Sequence, residues 1–153
     1  MNVIINLTEG NFPININNTY EKSILDHINL NQDIFVDIVI EKPSLNILFA
    51  KGIIKTQIND KCESCFKKLN YKININTNIE IQDEKLSMDR VNRNKDIHFQ
   101  NISEFDIKEL IKEEIYLNIP SIMLCEEENC ITNKEAQKEQ LARPFKKIRD
   151  LIR

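Results

Sequence analysis

Four cysteines, arranged as two close pairs, are the residues of this chain whose types and spacing best fit chemistry. The first pair is Cys62-Glu-Ser-Cys65 and the second is Cys125-Glu-Glu-Glu-Asn-Cys130. Four thiolates can surround one tetrahedral Zn²⁺ at about 2.3 Å, and a Cys-x₂-Cys turn is the usual half of a zinc ribbon or knuckle. The spacing therefore predicts a structural Zn²⁺ site with these four ligands, in which no coordination position stays open for catalysis.

The same cysteines allow two other interpretations. As buried thiols they would act only as small apolar side chains, but Glu63, Ser64 and the glutamates at 126–128 make such burial costly. As a thiol oxidoreductase site, Cys62-x-x-Cys65 would need a helix N-terminus, whose dipole lowers the thiol pKa. The motif falls between two predicted strands instead, so the pattern favours the metal.

Other residues do not combine into a recognisable active-site pattern. The histidines, His27 and His98, stand apart from any serine or cysteine motif, and each is interpreted as a surface or hydrogen-bonded residue. Gly10 and Gly52 are the only glycines, which excludes a glycine-rich phosphate loop. We therefore expect a protein that is not an enzyme and has no small-molecule substrate.

Composition and charge indicate a globular protein of the cytoplasm. Hydrophobic residues make up 41% of the 153 residues and charged residues 29%, a balance that excludes wholesale disorder. The first residues lack the basic region and long apolar run of a secretory signal. No segment approaches the roughly 20 apolar residues that span a bilayer. We expect no membrane partner, and a reducing compartment would keep the thiols available for metal.

The C-terminal segment is basic although the whole chain has a net charge of −3. Between Lys134 and Arg153 there are seven basic residues and three acidic ones. Such a segment can contact RNA phosphates with a salt-dependent affinity; equally, it can be an amphipathic helix with an ordinary basic exterior. The candidate RNA- or partner-binding residues are Arg143, Lys146, Lys147, Arg149 and Arg153.

Apolar periodicity predicts the elements of the N-terminal half. Asn18-Thr19 caps a short helix whose apolar stripe is Tyr20, Ile24, Leu25 and Ile28. Residues 33–40 form a buried strand that ends in a turn at Pro43-Ser44. Residues 45–58 form one long strand or two shorter ones, with a bulge at Gly52.

The elements that must position the cysteines follow. Residues 71–81 alternate strictly between apolar and polar side chains, which predicts a strand with one face on a core and places Cys62 and Cys65 in the turn before it. Residues 83–95 are predicted as a loop. A helix begins at Ser103 and ends at 118–120. Its apolar stripe is Ile107, Leu110, Ile111 and Ile115, and its acidic residues, Glu104, Asp106, Glu109, Glu113 and Glu114, are expected on or beside the solvent face.

These elements predict an α+β fold, built as an antiparallel β-sheet or a partly open barrel with a few packed helices. We expect one core domain over residues 1–131 that contains both cysteine pairs. Residues 132–153 are expected to form a linker and a basic amphipathic helix that packs on this core through Leu141, Phe145, Ile148 and Ile152.

The order of these landmarks resembles that of the YceD family, the large ribosomal RNA subunit accumulation proteins. The resemblance runs from about Ala50 to the end: Gly52, the first cysteine pair, the acidic helix from Asp106 into Pro120, the second pair, and Arg143-Pro-Phe-Lys-Lys-Ile-Arg-Asp-Leu151. Relatives commonly carry arginine and leucine where Ser64 and Phe66 stand here.

The resemblance implies a non-enzymatic factor in assembly of the large ribosomal subunit, needed for accumulation of its rRNA. As partners we expect large-subunit rRNA, an early ribosomal protein of that subunit, or both, bound through the sheet and the basic tail. The residues also leave open a zinc-stabilised protein–protein adaptor that makes no contact with RNA.

Overall fold

The structure is a computed structural model that describes residues 4–86, 96–126 and 130. The chain divides into two compact units. The first comprises Met1–Ile58 and Lys72–Ile119, and the second comprises Asn59–Tyr71 and Pro120–Arg153. Both cysteine pairs belong to the second unit.

A five-stranded sheet is the main element of the described residues. Its strands are β2 (Ile14–Tyr20), β3 (Ile34–Ser44), β4 (Ile47–Lys61), β5 (Lys68–Asp83) and β6 (Ile97–Gln100), lying side by side in that order, while β1 (Ile4–Ile5) and β7 (Phe105–Asp106) pair separately. β2 and β4 run antiparallel to β3, whereas β6 runs parallel to β5. The sheet is therefore mixed and open, so the expectation of an antiparallel sheet or partly open barrel is only partly right.

The alternating pattern of β5 shows how the sheet obtains its core face. Ile73, Ile75, Thr77, Ile79 and Ile81 are buried, while the asparagine side chains between them, up to Asn78, are exposed. Burying one face of a strand of period two fixes its register, because a shift by one residue would expose every isoleucine. The strand predicted over residues 71–81 is confirmed.

The pairing of β3 with β4 corrects the expectation of a bulge at Gly52. Ile38 lies opposite Gly52 in an unbroken register, and the irregularity falls instead between Glu41 and Ser44. A Cβ at position 52 would overlap the carbonyl oxygen of Asp37 and lie 2.7 Å from Cα of Ile38. Close approach of the neighbouring strand is therefore what requires glycine there.

The turn between these strands is also displaced from its predicted position. Pro43-Ser44 closes β3, and the chain reverses at Leu45 and Asn46. The sequence Pro-Ser is a reasonable turn signal, but the strand ladder continues two residues further because its irregular stretch accommodates the proline.

The prediction of a helix after Asn18-Thr19 is wrong. Ile14–Tyr20 forms β2, with Ile16 and Tyr20 buried, and only Lys22–Ile24 forms a short 3₁₀ helix. β2 pairs along its whole length with β3, from Ile14 opposite Ile40 to Tyr20 opposite Ile34. Sheet pairing therefore prevails over the helical spacing of Tyr20, Ile24 and Ile28.

The helix α1 spans Ile107–Asn118 and is the one α-helix that the described residues define from end to end. The carboxylate of Asp106 accepts a hydrogen bond of 2.9 Å from the N–H of Lys108 and caps the helix, whereas Ser103 lies in a 3₁₀ turn, Ile102–Glu104. The predicted start is four residues early. The predicted apolar stripe of Ile107, Leu110, Ile111 and Ile115 is fully buried, and the helix ends where expected.

Several expectations fall outside the described residues. These are most of the loop predicted over residues 83–95, of which Glu84–Leu86 forms a 3₁₀ turn, and the linker and C-terminal helix predicted over residues 132–153. Within the described residues, no helix combines the length and the apolar character needed to cross a bilayer.

Candidate metal centre

The first cysteine pair lies in the connection between β4 and β5, as predicted. This connection is tightened by two backbone hydrogen bonds of 2.9 Å: the N–H of Cys62 donates to the carbonyl of Lys67, and the N–H of Phe66 donates to the carbonyl of Cys62. Phe66 has a φ of 59°, in the left-handed region. The resulting turn folds the chain back within a few residues and holds Cys62 close to Cys65.

The second pair is brought to the first by an extended segment after α1. The N–H of Glu63 donates to the carbonyl of Met123 over 2.9 Å, which aligns this segment beside the turn. Two residues later, the N–H of Cys125 donates to the sulfur of Cys62 over 3.3 Å. Backbone groups therefore position the two pairs, and their approach does not depend on the thiols alone.

The four sulfur atoms form one compact cluster in which all lie within 4.8 Å of one another. The distances are 3.0 Å between Cys125 and Cys130, 3.5 Å between Cys65 and Cys125, and 3.7 Å between Cys62 and Cys130. A tetrahedral Zn²⁺ with bonds of about 2.3 Å would separate its sulfur ligands by about 3.8 Å. The cluster therefore fits one tetrahedral ion with small adjustments, and all four cysteines are free thiols.

Burial and hydrogen bonding give the thiols unequal acidity. Cys62, Cys125 and Cys130 are buried, with Leu69 and Leu124 packed against them. Hydrogen bonds from the N–H groups of Cys125 and then Cys65 lower the pKa of Cys62 to about 6, against the opposing effect of burial. Close contacts with the thiols of Cys125 and Cys65, together with burial, raise the pKa of Cys130. A bound cation would favour the ionised form of all four.

The cluster is a closed donor set. Four thiolates complete a tetrahedral shell, so an ion held there would have no position for water or substrate and would act structurally. The Cys62-x-x-Cys65 turn joins two strands and does not sit at a helix N-terminus, where thiol pKa values of oxidoreductases are lowered by the dipole. The geometry therefore supports metal binding by the predicted residues.

Comparison with known proteins found a family model whose match contains this centre. The family model described as large ribosomal RNA subunit accumulation protein YceD matches residues 50–147. The chain belongs to the YceD family. The matched span of this YceD-family protein includes both cysteine pairs and reaches into the basic C-terminal segment. The description of the family refers to a role in accumulation of large-subunit rRNA.

Neither the curated proteins nor the solved structures compared with this YceD-family protein gave a match. The likeness inferred from its ordered motifs is confirmed by the family match over residues 50–147.

The two histidines of the YceD-family protein lie outside the thiol cluster. His27 is exposed. His98 is 5% exposed, its Nδ1 pairs with the carboxylate of Glu113, and its ring meets that of Phe105 edge-on at 6.1 Å. This agrees with the interpretation of His98 as a hydrogen-bonded residue.

Glu114 is a buried carboxylate, and the expectation that it lies on or beside the solvent face is wrong. It is 7% exposed, and its Oε2 accepts a hydrogen bond of 3.1 Å from the hydroxyl of Thr77. Burial raises the pKa of Glu114, and the charges of Asp96 and Glu113 act in the same direction, whereas the Thr77 hydrogen bond opposes the shift. The one indication in the sequence that a polar partner is buried here is Thr77, because it is the polar member of the buried series in β5.

The remaining candidate residues of this YceD-family protein are those of its tail. Arg143, Lys146, Lys147, Arg149 and Arg153 lie outside the described residues.

Proposed function

We propose that this protein is a non-enzymatic factor for biogenesis of the large ribosomal subunit, which promotes accumulation of large-subunit rRNA by binding that rRNA or an early ribosomal protein. The single observation that carries the proposal is the family match, which covers residues 50–147 and both cysteine pairs. Binding is favoured over chemistry because the four cysteines, the one group in the described residues that could hold a metal ion, form a closed set of thiolates.

The distribution of charge supports RNA contact by the second unit. By sequence, the first unit contains eleven basic and sixteen acidic residues, a net charge of −5. The second contains ten basic and eight acidic residues, a net charge of +2. The net charge of the first unit repels phosphates and that of the second unit attracts them. The seven basic residues from Lys134 to Arg153 are the main source of the difference.

We further propose that the metal is Zn²⁺ and that its role is structural. Thiolate ligands in a tetrahedral arrangement suit zinc, and the cytoplasm, where this protein is proposed to act, keeps cysteines reduced. The ion would hold the turn after β4 against the segment that precedes the basic tail.

Co-sedimentation tests the proposed function. In a sucrose gradient at low salt, the protein is expected to migrate with precursor large subunits, and finding it only at the top of the gradient would overturn the proposal. Replacing Lys146, Lys147 and Arg149 by glutamine should weaken binding and lower the slope of log K against log salt by about 0.7 per lost phosphate contact. The matched control replaces three exposed lysines of the first unit, Lys22, Lys55 and Lys72, and should bind as the wild type does.

The net charge of −3 favours a second candidate, a zinc-stabilised protein–protein adaptor with no RNA contact. Nuclease treatment distinguishes the two functions. Complexes that an RNA-binding factor forms will dissociate when their RNA is degraded, whereas those of an adaptor will persist.

A further inference from the structure

Phe66, the residue that follows the first cysteine pair, combines two unfavourable features. Its aromatic side chain is 73% exposed, although phenylalanine is an apolar residue. Its backbone has a φ of 59°, which side chains with a Cβ adopt at a steric cost and which is rare for a bulky residue. Neither feature stabilises the fold.

The turn explains the backbone conformation but not the side chain. The N–H of Phe66 and the N–H of Cys62 are both held by backbone carbonyls of the turn, so this position must adopt a left-handed conformation whichever residue occupies it. Glycine or asparagine would do so at lower cost. Leu69 and Leu124 pack against the buried thiols, whereas most of the Phe66 ring faces solvent. The ring is therefore better explained by contact with a partner than by folding.

The charge around Phe66 indicates the kind of partner. Between Lys61 and Lys68 the exposed charged residues are Lys61, Lys67 and Lys68 on the basic side and Glu63 on the acidic side. An aromatic ring among lysines matches single-stranded RNA, which offers flat bases alternating with phosphates. A purely apolar protein pocket would match the ring but would offer no complementary charge to Lys61 and Lys68.

We propose that Phe66 is a stacking platform for an unpaired base of single-stranded RNA, with Lys61 and Lys68 close to the neighbouring phosphates. This proposal rests on the proposed function, because it gives the RNA-binding factor a particular contact. It assigns base contact to the turn that carries the first cysteine pair, and general phosphate attraction to the basic tail.

Tryptophan fluorescence can detect this stacking directly, because the chain contains no tryptophan. The Phe66→Trp variant should show saturable quenching when single-stranded oligouridine or oligoadenosine of about 12 nucleotides is added. The control is Leu45→Trp, which places the same fluorophore at a residue 88% exposed in the turn between β3 and β4. The control should not be quenched. Equal quenching of both variants, or of neither, would overturn the proposal.

Affinity measurements separate stacking from simple apolar contact. By fluorescence anisotropy of the labelled oligonucleotide, Phe66→Ala should bind about 5- to 100-fold more weakly than the wild type, and Phe66→Tyr should bind as well as the wild type. Phe66→Leu keeps an apolar side chain without a flat ring and should lose most of the affinity. If Phe66→Leu retains full affinity for RNA, the proposal is overturned. If Phe66→Leu no longer associates with ribosome precursors although its RNA binding is unchanged, the ring contacts a protein pocket and the proposal is likewise overturned.

Phe66→Asn tests whether an affinity loss comes from misfolding. Asparagine tolerates the left-handed backbone, so this variant should retain its metal and thermal stability while it loses affinity for RNA. Wild-type affinity for RNA in this variant would count against stacking. If the wild type migrates with precursor subunits but does not bind single-stranded RNA, the stacking proposal fails alone. If it does neither, the proposed function fails as well.

Discussion

The backbone N–H of Cys125 donates a hydrogen bond to the sulfur of Cys62 over 3.3 Å. This contact joins cysteine pairs that are far apart in sequence, and it favours the ionised form of Cys62. The thiolate that a metal requires is thus prepared by the backbone of the opposite pair. Assembly of the centre and folding of the second unit are expected to depend on each other.

Loss of cysteine ligands should abolish metal binding. Protein purified anaerobically is expected to contain about one zinc per chain, and the Cys62→Ser/Cys125→Ser double variant should contain none and unfold at a lower temperature. Ser64→Ala changes the same turn without removing a ligand, and it should retain the metal. Metal analysis with thermal unfolding checks this, and a stable wild type without metal would contradict it.

Glu114 should make folding stability depend on pH. Because its pKa is higher in the folded protein than in the unfolded chain, its contribution is fully present below the unfolded pKa and is lost as pH rises through the folded pKa. Glu114→Gln should therefore be stabilised relative to the wild type as pH increases from about 5 to about 8. Denaturant unfolding at both pH values measures this difference.

Thr77→Val is the companion variant for Glu114. It removes the hydroxyl that donates to the buried carboxylate, so it should destabilise the protein, and more strongly at high pH where Glu114 is ionised. A pH-independent difference between the wild type and Glu114→Gln would show that Glu114 titrates as it does in the unfolded chain.

Gly52→Ala should be severely destabilising. The added methyl group would overlap the carbonyl oxygen of Asp37 and crowd Cα of Ile38 on β3. Because these are backbone atoms of a continuous strand ladder, the overlap can be relieved only if the strands separate. We expect a loss of about 3 kcal/mol or more in the free energy of unfolding.

Gly10→Ala is the matched control for Gly52. At that position the added Cβ would lie 3.2 Å from the carbonyl oxygen of Asn6 and 3.2 Å from Cδ1 of Ile14. Both contacts are tight but can relax by a few tenths of an ångström, so the cost should be much smaller. Similar stability losses in the two variants would refute the role given to strand approach.

Asp106 should contribute to stability as the cap of α1. Asp106→Ala leaves the N–H of Lys108 without its acceptor and is expected to cost about 1 kcal/mol, whereas Asp106→Asn keeps an oxygen acceptor and should cost less. Chemical denaturation of the three proteins gives the comparison. Equal stability of Asp106→Ala and the wild type would exclude a capping contribution.

Local sequence patterns were sufficient to predict the elements in which apolar residues recur with a clear period. The alternation in β5 and the apolar stripe of α1 reflect burial of one face, which the sequence encodes directly. The spacing of the cysteines likewise predicts a shared centre, because a Cys-x₂-Cys turn is the usual half of a tetrahedral zinc site, and the four sulfur atoms do lie together.

Non-local contacts explain what the sequence could not reveal. Ile14 and Ile16 alternate with asparagines, but their assignment to a strand depends on β3 as a partner. The parallel pairing of β6 with β5 and the burial of Glu114 beside Thr77 likewise depend on residues distant in the chain. Propensity gives no information on such pairings, since tertiary context decides them.

The origin of the thiols in two separate segments has a consequence during synthesis. Cys125 follows Cys65 by 60 residues, so a nascent chain that has just completed the first turn offers only half of the ligand set. A prematurely terminated chain would likewise carry two thiols and could not retain a tetrahedral ion. Metal loading would therefore distinguish chains that extend past Cys130 from shorter fragments.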